Sequence, residues 1–248
     1  MLTLAGKHCV ITGGSRGIGL GIAKLFAAEG ATCTLVGRHR DSLVNAVSSL
    51  ESLQSQPNRP PHRYEIFTTV ASADDWQVLM DRFKTEKIDV LVNAAGITLN
   101  SLLYNAKLED IEQVLDTNLK GTILGCRAVI PKMMRQKEGC IINVSSILAT
   151  HGGRGASVYA ATKAGIIGLT RSLAWEVGRF NIRANLIQPG YIQTDMTAAM
   201  DSKIDAKALI PMGRLGLVED VAEAAAFLAK NSYAHNCVLN IDGGLSAT

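Results

Sequence analysis

The hydrophobic positions of this chain fall into short, nearly continuous apolar runs, separated by longer stretches in which apolar residues recur with helical spacing. Such runs are typical of strands that are covered on both faces. They predict strands at residues 7–12, 32–36, 64–70, 88–92, 141–144, 182–187 and 237–241. The helical patterns predict helices at residues 18–28, 41–53, 74–83, 108–136, 157–179 and 218–229.

Strands that alternate with helices indicate an α/β fold with a parallel sheet and helices on both faces. Gly30 is a good terminator for the first helix, and Asp41 is a good N-cap for the second. Three prolines among polar residues predict an exposed loop at 54–63, and residues 190–212 are irregular or short-helical. No repeat or second-domain boundary is visible, so we expect a single domain over residues 1–248.

Candidate chemistry begins with Tyr159 and Lys163, which are four residues apart on one helical face. An ammonium beside a phenol stabilises the phenolate, so we expect Lys163 to lower the Tyr159 pKa. Such a phenol can donate a proton to a carbonyl oxygen and take it back. Ser146 closes the preceding strand, where its hydroxyl could hydrogen-bond the same oxygen. The alternative, an amphipathic tyrosine beside a surface lysine, is disfavoured by the serine and by a glycine-rich turn upstream.

That turn, TGGSRGIG at residues 12–19, separates the first strand from the first helix. Glycines in this context let the backbone turn sharply and approach a pyrophosphate that faces the helix N-terminus. The spacing is G-x-x-x-G-x-G rather than the commoner G-x-G-x-x-G, and a purely structural turn is the alternative. The motif therefore predicts a dinucleotide-binding loop.

The end of the second strand bears on the choice of cofactor. An NAD-preferring fold places a carboxylate there to bind the ribose 2′-hydroxyl, but this chain has Arg38 and no acid. Arg38 and Arg16 would suit a 2′-phosphate by charge and by bidentate hydrogen bonding. We therefore predict NADP(H), with solvated surface arginines as the alternative.

Composition excludes several other classes of protein. The formal net charge of +3 is too small to argue for binding to nucleic acid or to a membrane surface. The five cysteines are scattered without C-x-x-C spacing, which favours buried free thiols in a reducing compartment and indicates no metal site. No apolar run has transmembrane length and the start lacks a signal peptide, so we expect a cytoplasmic protein. A location in the mitochondrial matrix stays an alternative if a leading segment has been removed from the sequence.

Several further motifs accompany these residues in a fixed order. They are NAAG at 93–96, Asn118, Ser146, YAATK at 159–163, PG at 189–190 and DGG at 242–244. With the glycine loop, their order and spacing resemble the short-chain dehydrogenase/reductase family over nearly the whole chain. The resemblance implies one Rossmann-type, doubly wound parallel sheet of seven strands in the order 3-2-1-4-5-6-7, and usually a homotetramer.

The resemblance also implies roles for individual residues. Tyr159 is similar to the general acid, and Lys163 to the residue that binds the nicotinamide ribose. Ser146 resembles the serine that orients the carbonyl, and Asn118 the residue that positions a water in a proton relay. Residues 195–212 resemble a mobile substrate lid.

The cofactor surface that the family implies is drawn from the glycine loop and from the ends of later strands. Asn93 and Gly96 would lie along the adenosine, with Ile192 and Thr194 beside the nicotinamide carboxamide. The full set is Gly13, Ser15, Arg16, Gly17, Ile18, Gly19, Arg38, Val70, Asn93, Ala94, Gly96, Tyr159, Lys163, Pro189, Gly190, Ile192 and Thr194.

Within the family, the stretches at 91–98, 118–134, 188–197 and 210–222 are most similar to 3-oxoacyl-(acyl-carrier-protein) reductases. This implies NADPH-dependent reduction of a 3-oxoacyl thioester in fatty acid synthesis, with an acyl carrier protein or acyl-CoA as partner. A carrier protein is acidic and should dock on basic residues. Candidates expected near the active site are Lys132, Arg135, Lys137 and Arg179, although ordinary solvated charges are as good an interpretation.

Three other functions stay open. One is a general reductase of free carbonyls, quinones or steroid-like alcohols. Another is a regulatory cofactor-binding protein, which the four catalytic-type residues disfavour. The third is a subunit that needs a hetero-oligomeric partner. Thr69 stands where the family usually has an aspartate that contacts adenine, which is compatible with weakened cofactor binding by the chain alone.

Overall fold

The computed structural model describes residues 3–53, 60–198 and 206–247. Its strands form one seven-stranded sheet in which all neighbours are parallel, in the order β3-β2-β1-β4-β5-β6-β7. The strands are β1 His8–Thr12, β2 Thr32–Gly37, β3 Arg63–Ile66, β4 Val90–Asn93, β5 Gly139–Val144, β6 Ile182–Pro189 and β7 Val238–Ile241. The predicted fold class and strand order are confirmed.

Helices cover both faces of this sheet. They are α1 Gly17–Ala28, α2 Arg40–Glu51, α3 Ala73–Arg82, α4 Leu108–Val114, α5 Gly121–Gln136, α6 Leu148–His151, α7 Ser157–Val177, α8 Asp195–Ala198, α9 Ala206–Leu209 and α10 Val218–Lys230. One apolar core joins α1, α2 and α10 to the sheet, and the other joins α3, α5 and α7. Short 3₁₀ turns lie at Leu103–Asn105, Gly178–Phe180 and Leu245–Ala247.

The two cores explain why the strands read as continuous apolar runs. Every residue of β1 is buried, with Cys9 and Ile11 in the first core and Val10 in the second. Successive strand side chains point to opposite faces, so a strand covered on both faces needs apolar residues throughout. The buried thiols are unreactive as nucleophiles, because burial raises the pKa of Cys33 to about 12.

Several element boundaries differ from the sequence prediction, and two of them have a clear physical reason. Strand β3 ends at Ile66 rather than at residue 70, because the Asp75 carboxylate accepts bonds from both the amide and the hydroxyl of Thr68, each at 2.7 Å. Val70 therefore lies in a turn. Helix α2 begins at Arg40, with His39 rather than Asp41 at the N-cap, because the His39 carbonyl already accepts the amide of Leu43 at 3.1 Å.

The predicted helix at 108–136 is divided in an unexpected place. Its interruption is a π-helical segment, Leu115–Lys120, between α4 and α5, and not the glycines at 121 and 125. A π-turn inserts an extra residue and is common at functional sites. Here it places Asn118 in the interior with no exposed surface.

Two other predictions fall partly outside the described residues. Of the predicted loop at 54–63, residues 54–59 lie outside them. Of the predicted lid at 195–212, residues 199–205 do as well, and the described parts include the short helices α8 and α9. The lid itself stays a prediction.

The parallel arrangement decides where a site can form. All seven strands end at the same edge of the sheet, and the strand order reverses between β1 and β4. In open α/β sheets the crevice at such a reversal, outside the carboxyl ends, is where ligands bind. The glycine loop follows β1, and Ser146 follows β5, so both lie at this edge.

Two helical glycines test how tightly the helices pack. A Cβ at Gly125 of α5 would lie 2.7 Å from Asn93 Oδ1, whereas a Cβ at Gly168 of α7 would meet nothing within 4 Å. We expect Gly125→Ala to lower the free energy of unfolding by about 1–3 kcal/mol through overpacking. Gly168→Ala should raise it by about 0.5–1 kcal/mol, because alanine favours a helix. Denaturant unfolding of both variants measures this, and equal effects would contradict the packing described.

Candidate active site

The predicted catalytic residues come together where β5 runs into α7. Lys163 is buried, and its Nζ donates a hydrogen bond to the Val144 carbonyl at 2.9 Å. The same Nζ lies 5.7 Å from the centroid of the Tyr159 ring. The Ser146 side chain is close enough to the Tyr159 phenol to act on its pKa. An ammonium has three donors, so Lys163 retains two for other partners.

The expected lowering of the Tyr159 pKa is wrong for this structure. Burial raises the pKa of Tyr159, and the Ser146 side chain opposes that rise only in part. Burial also lowers the pKa of Lys163 to about 8. Near neutral pH the phenol therefore keeps its proton, while the lysine is a weaker base than usual and can release its proton more readily.

The Asn118 side chain is fixed by three hydrogen bonds, which its predicted role of positioning a water does not require. Its Oδ1 accepts the Ile97 amide and its Nδ2 donates to the Ile97 carbonyl, both at 2.9 Å. Nδ2 also donates to Thr162 Oγ1 at 3.1 Å. The Asn118 side chain thus fixes the segment after β4. A relay water would therefore be bound by the Asn118 main-chain carbonyl instead of by the side chain. That carbonyl accepts the Thr122 hydroxyl at 2.7 Å and has a second lone pair.

The glycine loop is shaped by close backbone contacts. Gly13 has φ of +66°, and a Cβ there would lie 2.8 Å from the Ala95 Cα. A Cβ at Gly19 would lie 2.3 Å from the Gly13 carbonyl oxygen. Gly17 also has a positive φ, of +54°, while Ser15 and Ile18 of the same loop are half-buried. Side chains at these glycines would fill the cradle or push α1 away from it.

The N-terminus of α1 suits an anion. Its N-cap, Arg16, makes no side-chain capping bond, and the first turn has no acidic residue. The first amides of a helix have no intrahelical partner and carry the positive end of the helix dipole. The loop and helix therefore fit the pyrophosphate of a dinucleotide.

The two arginines at this end are exposed. Arg38 follows β2 directly and forms no ion pair within the described part of the chain. Arg16 Nη1 lies 3.6 Å from Asp195 Oδ2, with both side chains largely in solvent. Such a pair is weak, so both guanidinium groups are available to a phosphate.

The segment after β4 lies over the catalytic residues. The Asn93 side chain turns into the sheet, where its Nδ2 donates to Asn143 Oδ1 at 2.9 Å, so only its backbone could face a cofactor. The Ala94 amide is fixed by Thr12 Oγ1 at 3.2 Å. A Cβ at Gly96 would lie 3.4 Å from Lys163 Nζ, so glycine allows this close approach.

Val70, a predicted cofactor contact, and its neighbour Thr69 lie in the turn after β3. Val70 is buried, and Thr69 turns its hydroxyl to the Ala71 amide at 3.2 Å. Thr69 therefore stabilises a local turn at the position where the family resemblance predicts an aspartate.

The chain after β6 returns to the glycine loop. A Cβ at Gly190, which follows Pro189, would lie 2.8 Å from the Asp242 Cα. Ile192 is buried and pairs with Gly216. The Thr194 methyl lies 3.5 Å from the position of a Cβ on Gly17. This segment therefore brings the start of the predicted lid against the dinucleotide loop.

The basic residues expected near the active site are placed elsewhere. Lys132 is buried, and its ammonium donates to the carbonyls at the end of α3, so it is no surface charge. Arg135, Lys137 and Arg179 are exposed, but they lie where α5 and α7 end, at the amino ends of β5 and β6. Arg179 is about 30 Å from Tyr159, since a helix rises 1.5 Å per residue. The prediction of a dock beside this chain's own site is wrong.

Sequence reasoning missed Thr162. Its buried hydroxyl accepts Asn118 Nδ2 and donates to the Tyr159 carbonyl at 2.7 Å, which ties the π-helical segment to α7. Its position three residues after Tyr159, on the same helical face, was the available signal. Within residues 3–53, 60–198 and 206–247, no group of three His, Cys, Asp or Glu could hold a metal ion, and no helix could cross a bilayer.

The fold and the site together define a dinucleotide-dependent oxidoreductase, because a hydroxyl, a phenol and a buried ammonium converge beside a glycine-rich loop at the sheet reversal. A family profile described as short chain dehydrogenase matches residues 7–205. The chain belongs to the short-chain dehydrogenase/reductase family. Membership implies a nicotinamide dinucleotide cofactor.

Similar proteins cover nearly the whole chain. The 3-oxoacyl-(acyl-carrier-protein) reductase FabG of Chlamydia pneumoniae is 43% identical over 249 residues, which cover 99% of each chain. The 3-oxoacyl-(acyl-carrier-protein) reductase of Bos taurus is 38% identical, over 98% of this chain and 99% of the relative. A solved short-chain type dehydrogenase/reductase from Mycobacterium ulcerans has a TM-score of 0.93 at 30% identity, over 99% of this chain and 92% of that one.

The buried lysine predicts how stability depends on pH. Below pH 8 the folded and unfolded states both carry the Lys163 proton, so folding bears the full cost of burying the charge. Between about pH 8 and the ordinary lysine value of 10.5, the unfolded state binds more protons, so stability rises with pH. Relative to Lys163→Met, wild type should gain on the order of 3 kcal/mol across this window. Denaturant unfolding of both proteins measures the difference, and a constant difference would contradict it.

Proposed function

We propose that the protein catalyses NADPH-dependent reduction of a 3-oxoacyl thioester, carried by acyl carrier protein or coenzyme A, in fatty acid synthesis. The observation that carries this proposal is the Ser146, Tyr159 and Lys163 cluster at the mouth of a dinucleotide cradle. The names of the Chlamydia pneumoniae and Bos taurus relatives support the substrate class. Two exposed arginines without a carboxylate at the end of β2 support NADPH over NADH.

The residues of this chain divide the work on the ketone. The bound nicotinamide supplies the hydride. The Ser146 side chain is close enough to the Tyr159 phenol to act on its pKa, so both hydroxyls can converge on one carbonyl oxygen. The Tyr159 phenol then donates its proton to that oxygen as negative charge develops there.

The pKa directions suit the reductive direction. Burial raises the pKa of Tyr159, so the phenol holds the proton it must give at neutral pH. The phenolate left behind needs a proton, and Lys163, with its pKa lowered to about 8, is a ready donor. The Asn118 carbonyl could place a water beside that lysine for the return of the proton from solvent.

The assembly and the compartment are further proposals. A homotetramer is supported by exposed apolar side chains on the helices that flank the site, among them Ile123 on α5 and Trp175, which is 89% exposed, on α7. A cytoplasmic or mitochondrial matrix location fits this pathway.

Removing one hydroxyl tests the function. We expect Tyr159→Phe to lower kcat for acetoacetyl-coenzyme A by at least about 10²-fold, because the proton donor is lost. NADPH binding, followed by cofactor fluorescence, should change little. Tyr233→Phe is the matched control, since Tyr233 is 96% exposed and remote from the cluster, and it should keep full activity.

The outcome of the same assay discriminates the alternatives. Turnover of a free quinone but not of the thioester would replace the proposal with a general carbonyl reductase. NADPH binding without any turnover in wild type would favour a regulatory or partner-dependent protein. A Tyr159→Phe enzyme with normal kcat would contradict the assignment of the acid.

The cofactor preference has its own test. Arg38→Ala should weaken NADPH binding by about tenfold or more, because a charge-assisted contact with the 2′-phosphate is lost. NADH binding should be unchanged. Arg40→Ala removes the same charge two residues further on, in the first turn of α2, and serves as the control. Equal loss for both nucleotides, or from both variants, would refute the role of Arg38.

A further inference from the structure

Three consecutive residues at the end of β5 each hold a part of α7. The Val144 carbonyl accepts the Lys163 ammonium at 2.9 Å, and the Ser146 side chain is close enough to the Tyr159 phenol to act on its pKa. Between them, Ser145 Oγ donates to the main-chain carbonyl of Lys163 at 2.8 Å. Ser145 is therefore bonded to the lysine backbone and not to the reacting groups.

Ser145 is itself rigidly placed. It is buried, and its amide donates to the Ile187 carbonyl of β6 at 2.8 Å. Its main chain is thus fixed by the sheet, while its hydroxyl is committed to the helix. Lys163 is consequently held at both ends, with its carbonyl on Ser145 and its Nζ on Val144.

We propose that Ser145 is a positioning residue, which fixes the Lys163 backbone against β5 and so sets the place of the lysine ammonium beside the Tyr159 phenol. The Lys163 side chain is long and flexible, so the hydrogen bond of its Nζ does not by itself fix the position of α7 against β5. A displacement of about 1 Å in such a group can cost up to about 10²-fold in rate. The inference rests on the proposed function, because it concerns the proton donor of that reaction.

A second bond between the same two elements provides a matched control. Asn143 Nδ2, also on β5, donates to Thr170 Oγ1 on α7 at 2.9 Å. Thr170 is as buried as Ser145 but touches neither Lys163 nor Tyr159 among the hydrogen bonds of the described residues. It joins strand and helix two turns beyond the lysine.

The two substitutions should differ in opposite ways: Ser145→Ala should lose more activity, and Thr170→Val should lose more stability. In Ser145→Ala, the Lys163 carbonyl keeps its ordinary intrahelical bond, so no partner is left unpaired and stability changes little. In Thr170→Val, the buried Asn143 amide loses its acceptor, which costs more. A purely structural role for Ser145 predicts instead that activity follows stability.

The experiment measures melting temperature, NADPH binding and acetoacetyl-coenzyme A turnover against pH for wild type, Ser145→Ala and Thr170→Val. We expect Ser145→Ala to lower kcat about tenfold, with KM and NADPH affinity within about twofold. The alkaline limb of its kcat profile should move to higher pH, because a displaced lysine regains hydration. Thr170→Val should melt at a lower temperature yet keep kcat within about twofold. Ser145→Cys, a weaker donor of similar size, should lie between wild type and Ser145→Ala.

Three results would overturn the inference: a normal kcat in Ser145→Ala, a lower kcat without movement of the pH profile, or the same losses in Thr170→Val. These are distinct from failure of the proposed function, which would show as no thioester turnover in wild type. If wild type then reduced a quinone, the same comparison would be made with the quinone. If it reduced neither, both proposals would fall together.

Discussion

The parallel pairing of β1 with β2 on one side and β4 on the other is the constraint on which the rest of this molecule depends. Because of this pairing, the strand order runs outward from β1 in two opposite directions. A crevice is left beyond the carboxyl ends of the strands. The Gly13 amide continues the pattern by donating to the Val36 carbonyl at 2.9 Å. Cofactor loop and catalytic helix can share one edge only because every strand points the same way.

The active site is built by bonds between elements that are distant in the chain. Asn118 joins the π-helical segment to the backbone after β4, and Thr162 joins it to α7. Lys163 in turn is bonded to β5. The bonds of Asn118 to Thr162 and of Lys163 to β5 are buried, where a lost partner is costly. These side chains therefore position one another, while the Lys163 ammonium keeps two donors for other partners.

Burial has opposite consequences for the two side chains to which we assign the proton transfer. It stabilises the neutral phenol of Tyr159 and destabilises the charged ammonium of Lys163. The raised pKa of Tyr159 keeps the phenol protonated, and the lowered pKa of Lys163 makes the ammonium a better proton donor. The attraction between phenolate and ammonium, which the sequence led us to expect, is not among the causes of the Tyr159 shift; these are loss of water and, in the opposite direction, the Ser146 side chain.

Much of the fold follows from local pattern. Runs such as that of β1 are buried at every position and mostly apolar because both faces are covered, so their number and order could be recognised along the chain. The predictions from sequence were wrong where a side chain from another part of the chain made a contact that local pattern does not show. Asp75 ended β3 early, and packing of Lys132 under α3 hid a charge that looked like a surface residue. Neither contact has a signature in local periodicity.

The sequence by itself determined the element order, the dinucleotide loop, and the spacing that puts Tyr159 and Lys163 on one helical face, because these depend on neighbours within a few residues. Only the tertiary structure decided the π-turn that buries Asn118, the side of the molecule that carries Arg179, and the direction of the Tyr159 pKa. The place of Arg179 depends on where α7 ends in the fold, and the other two properties depend on which groups lose contact with water. Desolvation is set by elements that meet only after the sheet has assembled.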